Sequence, residues 1–256
     1  MALDMHRAGR SAKAGLRALG QFVWPARSIL SNERHGGDGP VPYEAFGKLT
    51  FLNGQGCHGC AVPMEPSLID EPLCGACLAK PPIWDAARAA LAYDEASRPA
   101  ILELKHAGKR DGLSAMGTWL ASAGADLLAE TDALVPVPLH YRRLAQRGFN
   151  QAVWLAQATA RSVGKPVLVD AVVRARQTPS QGGLTGRQRR LNVAGAFGIR
   201  ERRRSAIEGA TLTLVDDVYT TGSTLSACAK TLKRAGAAKV NILVLARVVR
   251  PSDITI

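Results

Sequence analysis

The chain has 256 residues, of which 46% are hydrophobic and 5% aromatic, and it carries a formal net charge of +12. This composition suits one sizeable α/β domain with a small appendage and excludes a fully disordered chain. No run of about eighteen apolar residues occurs, so we expect neither a membrane span nor a secretory signal, and we place the chain in the cytoplasm. Residues 1–30 could instead form a basic amphipathic surface helix.

Two C-x-x-C pairs, separated by thirteen residues, contain Cys57, Cys60, Cys74 and Cys77. Two such pairs can place four thiolates at the corners of a tetrahedron, the geometry of structural Zn²⁺. Each pair contains a glycine, Gly59 or Gly75, where we expect a tight turn. Disulfides are disfavoured without a secretory signal, and a redox site is disfavoured because the pairs lie outside a βαβ unit. We therefore predict a structural zinc site, with Cys228 as a small buried hydrophobe.

The next segment, residues 87–113, predicts a strand followed by a helix that carries Lys105 and His106 and ends at Gly108. Lys105 is either a phosphate ligand or a surface lysine. His106 and His140 are more simply ordinary surface or packed histidines than catalysts.

A strand is predicted from Ala133 to Val137, followed by a proline-punctuated loop and a helix that begins near Asn150. The loop contains Arg142, Arg143 and Arg147. Arginines bind phosphate oxygens bidentately, and Gly148 would let the backbone approach a ligand. We predict anion binding by Arg143 and Arg147; the alternative is a solvated basic loop.

Nine arginines and a single acid, Glu201, lie between residues 174 and 204. This charge indicates an anionic partner, although a solvated basic loop remains the alternative for residues 201–205. The stretch 174–197 also has three glycines flanked by arginines. That composition suits either a lid that closes over an anionic ligand or a loop that contacts nucleic-acid phosphates.

The segment GATLTLVDDVYTTGST predicts a strand from Thr211 to Val215, then a turn, then a helix that Gly236 ends, with another strand after it. In such a unit the turn lies at the carboxyl edge of the sheet, where ligands bind. The turn, from 220 to 224, offers backbone N–H groups and hydroxyls to a phosphate. Asp216 and Asp217 could then accept the hydroxyls of ribose 5-phosphate. Capping of the helix by these acids is the alternative.

The sequence LVDDVYTTGST resembles the phosphoribosyl pyrophosphate (PRPP) motif of type I phosphoribosyltransferases. The resemblance implies that Asp216 and Asp217 bind the ribose hydroxyls, with Mg²⁺ bridging to the pyrophosphate. It also implies that the 5′-phosphate is bound by Thr220, Thr221, Gly222, Ser223 and Thr224. Thr220 occupies the slot of the aspartate that acts as a base in 6-oxopurine enzymes, so purine salvage is disfavoured.

The cysteine pairs, VPVPLHYRRLAQRGFNQA, TPSQGGLTGRQRRLNVAGAF and LVDDVYTTGSTL occur in the order that is typical of the ComF family, which the chain resembles over about residues 20–249. Two groups of residues match that family's patterns: Arg143, Arg147, Gly148, Phe149, Asn150 and Gln151, and then Gln181, Leu184, Arg190 and Asn192. We predict that Arg190 and Lys105 join Arg143 and Arg147 in binding pyrophosphate or another anion.

The resemblance implies an α/β fold with a mostly parallel, type I phosphoribosyltransferase-like sheet flanked by helices, and a small N-terminal tetracysteine zinc module. We expect an extension over residues 1–48, the cysteine module over 49–80 and the transferase-like domain over 81–256. Many relatives carry earlier cysteines where this chain has Ser28 and Ser31, so one zinc is expected here.

The implied role is handling of imported single-stranded DNA during natural transformation, with a competence helicase as a further partner. Three hypotheses follow: an Mg²⁺-dependent transferase with an unidentified acceptor, a DNA-uptake factor that retains a PRPP site, and a PRPP-sensing repressor. The repressor is the weakest of the three, because no helix-turn-helix segment is evident upstream.

Overall fold

The computed structural model describes residues 26–28, 34–35, 43–53, 56–65, 68–106, 110, 112–174 and 196–249. The strands are β1 (Ala26–Arg27), β2 (Arg34–His35), β3 (Ala87–Ala92), β4 (Ala133–Pro136), β5 (Val172–Arg174), β6 (Phe197–Ile199), β7 (Thr211–Tyr219) and β8 (Lys239–Arg247). The helices are α1 (Tyr43–Phe46), α2 (Gly75–Ala79), α3 (Arg98–His106), α4 (Leu113–Ala123), α5 (Ala125–Glu130), α6 (Tyr141–Arg147), α7 (Gln151–Val163) and α8 (Ser223–Arg234), with a 3-10 helix at Glu201–Ala206.

The central sheet has four parallel strands in the order β3-β8-β7-β4. Its two middle strands are largely buried: β8 is buried from Val240 to Arg247 and β7 from Leu212 to Val215, as expected for strands that are covered on both faces. Two antiparallel pairs, β1 with β2 and β5 with β6, lie outside this sheet. The α/β fold with a parallel sheet and flanking helices is therefore confirmed.

The helices α4 and α7 cover one face of the sheet, where Leu120 and Leu155 pack with Leu134 and Val215. The two helices approach closely at Gly117, where an added Cβ would lie 2.7 Å from the backbone of Ala158. A larger residue at position 117 would force these helices apart.

The other face of the sheet is covered by α8 and by the cysteine segment. Leu225 and Cys228 of α8 share a core with Leu212 and Leu214 of β7, and the same core includes Cys57, Cys60 and Cys77. The cysteine segment and the sheet therefore pack as one hydrophobic core, and Cys228 is fully buried as expected. The domain boundaries at residues 48 and 80 stay predictions.

The start of α7 shows why the chain becomes helical at this point. The side-chain oxygen of Asn150 accepts the N–H of Ala152 at 3.0 Å, which caps the helix. The ring of Phe149 stacks on Trp154 with 4.3 Å between centroids, in the positions of a hydrophobic staple. The amide nitrogen of Asn150 also donates to the carbonyl of Val137 at 3.0 Å, which joins α7 to the end of β4.

The predicted proline-punctuated loop is shorter than expected, because Tyr141–Arg147 forms the helix α6. The sequence analysis was wrong to place Arg143 and Arg147 in a loop. The residues between Tyr141 and Gly148 are mostly good helix formers, and Gly148 ends the helix with a φ of 76° while its N–H donates to Leu144.

Several predictions concern segments outside the described residues. Of the amphipathic helix considered for residues 1–30, only 26–28 are described, and Ala26–Arg27 form β1 there. Most of the lid or nucleic-acid loop predicted for residues 174–197 also lies outside, including Gln181, Leu184, Arg190 and Asn192. Within the described part of the chain, none of the helices has both the length and the apolar character that crossing a bilayer requires.

Candidate ligand cleft and cysteine cluster

The two acids of the DD pair belong to the central strand. The sequence analysis ended this strand at Val215, but β7 continues to Tyr219 and pairs in register with β8, with Asp216 opposite Val244 and Tyr219 opposite Arg247. Val218 and Tyr219 are residue types that favour strands. Both aspartates therefore belong to the strand that pairs with β8, and the turn begins only after Tyr219.

Asp217 is a buried carboxylate, only 6% exposed, that two side chains from other elements hold in place. Gln151 at the start of α7 donates its Nε2 to the carboxylate at 2.8 Å. The Nζ atom of Lys105, on α3, lies 3.3 Å from the same oxygen. Lys105 is thus the ionic partner of Asp217 and lines the same cleft, so it is not simply a solvated surface lysine. Its role as a phosphate ligand stays a prediction.

Asp216 has a different environment. One of its oxygens accepts the N–H of Asp217 at 2.9 Å. Burial, together with the negative charge of Asp217, raises the pKa of Asp216 to about 8. Its carboxyl group therefore keeps its proton to a higher pH than an ordinary aspartate does.

The turn after the acids depends on Gly222, which has a φ of 70° and immediately precedes α8. A Cβ at this position would lie 3.0 Å from Trp84 and 3.0 Å from Tyr219, so both the backbone angle and the close contact require glycine. No side chain caps the N-terminus of α8. Residues 220–224 line the cleft, and the hydroxyls of Thr221 and Ser223 lie 2.9 Å apart beside the start of α8. Free N–H groups at a helix N-terminus are suited to bind an anion.

A cleft of about 460 Å³ brings the predicted residues together. Its lining contains both acids of the DD pair, the whole turn from 220 to 224, Lys105, Arg143 and Arg147. Arg190 lies outside the described residues. Every described residue that was predicted to bind PRPP or its pyrophosphate thus lines a single cleft at the carboxyl edge of the sheet.

The lining of this cleft also contains residues that were not predicted to bind a ligand, among them Gln151, Arg174 and His140. Gln151 was noted only as part of a family pattern, Arg174 only as part of the basic stretch, and His140 as an ordinary histidine. The guanidinium of Arg174 lies 5.1 Å from the ring centroid of Phe197, across the β5 and β6 pair. The repeated arginines after β4 indicated an anion site in the sequence. No sequence pattern near β5 indicated that Arg174 would line the same cleft.

The basic segment at residues 200–204 has an internal anionic partner. Arg202 and Arg203 bond to the carboxylate of Asp170, the latter at 2.7 Å, and Arg200 lies 3.4 Å from it. Hydrogen bonds from Arg202 and Arg203 lower the pKa of Asp170 to about 2. Arg204 pairs with Glu201. These arginines therefore stabilise the junction between the 3-10 helix and β5 rather than forming an unpaired basic loop.

The four cysteines of the two C-x-x-C pairs form a single cluster, with all sulfur atoms within 4.8 Å of one another. The sulfurs of Cys60 and Cys74 are 3.7 Å apart, too far for a disulfide. Tetrahedral Zn²⁺ with Zn–S distances of about 2.3 Å would space the sulfurs about 3.8 Å apart. The residues are positioned to bind a metal ion and fit structural zinc.

The structure gives the glycines of the two C-x-x-C pairs a different role from the tight turns that were expected there. An added Cβ at Gly59 would lie 3.1 Å from the sulfur of Cys77, so close approach rather than a special φ requires this glycine. A Cβ at Gly75 would meet no atom within 4 Å. Left-handed backbone occurs instead at Ala61, with a φ of 56°, just after the first pair, and at Glu71, with a φ of 59°, before the second pair.

The comparison with known proteins agrees with this geometry. The phosphoribosyl transferase domain model matches residues 150–253, which include α7, the acidic end of β7 and α8. Together with the parallel sheet and the acids beside an uncapped helix N-terminus, the match defines a protein with a phosphoribosyltransferase domain.

Curated relatives define the family more narrowly. The chain is 35% identical over 196 residues to the DNA utilization protein YhgH of Escherichia coli (strain K12), which covers 75% of this chain and 83% of that protein. It is 34% identical to Competence protein F of Haemophilus influenzae, over 68% of this chain and 78% of that protein. It is 27% identical to Competence protein ComFC of Bacillus subtilis (strain 168), over 82% and 85% respectively. The chain belongs to the ComF family, which confirms the resemblance seen in the sequence.

We expect the purified protein to contain about one zinc ion per chain, and Cys57→Ser to lose it, because a structural site needs all four thiolates. Elemental analysis of freshly purified protein measures this. Cys228→Ala is the matched control, since Cys228 lies in the same core but outside the cluster. Zinc that is absent from the wild type or retained by Cys57→Ser would contradict the assignment.

The raised pKa of Asp216 predicts a pH-dependent cost to stability. In the unfolded chain the carboxyl group ionises near pH 4, whereas in the folded protein it keeps its proton to about pH 8. Stability is therefore lost as pH rises between these values, by at most about 1.4 kcal/mol per pH unit. Asp216→Asn should remove this loss, so its stability advantage over wild type should grow from pH 5 to pH 8.

Urea denaturation at several pH values tests this expectation. Asp126→Asn, at an exposed aspartate of α5 that pairs with Arg88, is the control and should show no such growth. An advantage of Asp216→Asn that is the same at pH 5 and pH 8 would contradict the predicted ionisation.

Proposed function

We propose that the cleft binds PRPP with Mg²⁺ and that the protein acts in natural transformation, in the cytoplasmic handling of imported single-stranded DNA. The role in DNA handling is supported by membership of the ComF family, whose curated members include proteins named for DNA utilization and for competence. The ligand is supported by the geometry of the cleft.

One observation carries the assignment of PRPP. Two acids and an uncapped helix N-terminus lie at one end of the same cleft, and Arg143 and Arg147 lie on its wall. A ligand that suits this arrangement has a phosphate for the helix N-terminus, hydroxyls for the acids and further anionic oxygens for the arginines. PRPP combines these three groups in one molecule.

The acids are suited to bind ribose hydroxyls. The carboxylate of Asp217 is held by Gln151 and Lys105 and is fixed before the ligand arrives. Asp216 would lose its proton when hydroxyl donors and Mg²⁺ approach, because both favour the charged carboxylate. Binding of the sugar would therefore compensate a half-buried group whose charge is costly in the free protein.

Mg²⁺ would draw most of its ligands from PRPP and water, because Asp216 and Asp217 are the acids among the described residues that line the cleft. The ion would neutralise charge on the pyrophosphate and so assist its departure. Arg143 and Arg147 would bind the pyrophosphate oxygens.

An active phosphoribosyltransferase with an unidentified acceptor is the alternative function. This alternative is favoured by the preorganised contacts of Asp217. A protein acceptor that is already fixed in place can hold the sugar hydroxyls in the orientation that transfer needs. In that reaction the bond from C1′ to pyrophosphate breaks, a bond to the acceptor forms, and the acceptor loses a proton. Pyrophosphate release in the presence of bases, amines or oligonucleotides distinguishes transfer from binding alone.

The first test is calorimetric titration with PRPP and Mg²⁺. We expect binding by the wild type and none by the double variant Asp216→Ala/Asp217→Ala, since the ribose would lose both of its acceptors. Asp126→Asn controls for the change in net charge. Equal affinity of the double variant and the wild type, with both folded by circular dichroism, would reject the assignment.

The second test concerns DNA. If Arg143 and Arg147 contact phosphates of a single strand, each lost contact should lower the slope of log K against log salt by about 0.7. The variant Arg143→Ala/Arg147→Ala should therefore show a shallower salt dependence in fluorescence anisotropy with an oligonucleotide. Arg161→Ala, an exposed arginine near the end of α7, is the control. An unchanged slope in the double variant would exclude these arginines as the DNA contacts.

A further inference from the structure

Trp84 contacts both the cysteine cluster and the turn at residues 220–224, which we call the ligand turn. The indole Nε1 of Trp84 donates to the carbonyl of Gly59, inside the first cysteine pair, at 2.7 Å, and this bond is buried. The other end of the indole lies against the ligand turn, since a Cβ on Gly222 would be 3.0 Å from its Cη2 atom. The ring also packs edge-on against Tyr219, with centroids 5.8 Å apart. One side chain thus spans the distance between the metal-binding turn and the ligand turn.

Arg247 makes a second connection between the same two segments. Its Nε donates to the carbonyl of Cys60 at 2.9 Å. Its terminal nitrogen lies 3.5 Å from the carbonyl of Tyr219 and 3.4 Å from that of Thr220, where the ligand turn begins. The guanidinium stacks on the Tyr219 ring at 4.3 Å, and the residue is only 7% exposed.

These contacts make the position of the ligand turn depend on the conformation of the first cysteine pair. A bound metal would fix the Cys57 and Cys60 sulfurs and with them the carbonyls of Gly59 and Cys60. Those carbonyls are the acceptors for Trp84 and Arg247. The positive charge of Arg247 also offsets the net negative charge that four thiolates leave around a divalent ion.

We propose that Trp84 and Arg247 are positioning residues that couple metal binding at the cysteine cluster to the order of residues 219–222, and so to the affinity for the phosphorylated ligand. The affinity part rests on the proposed function; the coupling itself does not. The metal site would then stabilise the ligand turn as well as the cysteine segment itself.

A merely structural role for the two residues would lower global stability without a specific effect on the turn. The distinguishing measurement is therefore local. Hydrogen exchange, followed by mass spectrometry on peptides that span 219–225, reports the order of the turn, and a peptide from α4 reports the opposite face of the sheet. Zinc content is measured on the same samples.

Trp84→Phe removes the donor to Gly59 and shortens the ring that contacts Gly222. We expect it to keep its zinc but to exchange the amides of 219–225 about five- to tenfold faster, the loss expected when a buried hydrogen bond of ordinary strength is removed. Affinity for PRPP should fall by a similar factor. Trp119→Phe is the matched control, because Trp119 packs on Phe51 away from the turn.

Arg247→Lys keeps the positive charge but has a single nitrogen, whereas Arg247 contacts the two segments with two separate nitrogens, Nε and Nη1. We expect the same local increase in exchange, whereas Arg234→Lys, at the exposed end of α8, should show none. Removal of zinc from the wild type with a chelator should raise exchange in 219–225 more than in α4. Unchanged exchange at the turn in both Trp84→Phe and Arg247→Lys would overturn the proposal.

The exchange measurement separates this inference from the proposed function. If the wild type binds no PRPP but the variants still loosen the turn, the ligand assignment fails and the coupling stands. If PRPP binds equally well to the wild type and both variants, the coupling to ligand affinity fails and the ligand assignment stands.

Discussion

The burial of one carboxylate at the end of the central strand sets the geometry of the site. An unpaired buried charge is costly, and Asp217 is stable in this position because Gln151 and Lys105 supply a hydrogen bond and an opposite charge. These partners come from α7 and α3, so the carboxylate joins three elements at one point. Asn150 adds a fourth, since it caps α7 and donates to Val137 at the end of β4. The walls of the cleft are therefore positioned by the same contacts that stabilise the acid.

The neighbouring acid, Asp216, carries a charge that the free protein stabilises poorly. Asp216 and Asp217 are adjacent in sequence, but the contacts from α3 and α7 go to Asp217, and the pKa of Asp216 is raised to about 8 by burial and by its neighbour. An acid whose pKa is strongly raised by its environment in a cleft is typical of binding and catalytic sites. A ligand with hydroxyl donors would remove the cost at Asp216, so part of the binding energy would come from relief of an unfavourable state of the protein.

The sequence predicted the parts of the site that depend on local order along the chain. The unit of β7, turn and α8 follows from an apolar run, the acids and Gly222, and the cysteine spacing follows from metal geometry. Contacts between distant segments could not be predicted this way. Gln151 and Asp217 are 66 residues apart, and the arginines that bind Asp170 come about 30 residues later. Periodicity and propensity describe neighbours in sequence, whereas these pairings are decided by how strands and helices pack.

The cysteine segment is best understood through the face of the sheet that it covers. Its sulfurs lie in the same core as Leu212 and Leu214 of β7, and Trp84 and Tyr219 fill the space between the cluster and the ligand turn. A segment this short has too little apolar surface to fold on its own, which is why a metal is the usual means of stabilising it. Because the metal site also covers this face, loss of the ion would affect the sheet beneath it and the turn beside it. On the proposed coupling, loss of a cysteine would therefore also disturb the cleft, although none of the four cysteines of the cluster lines it.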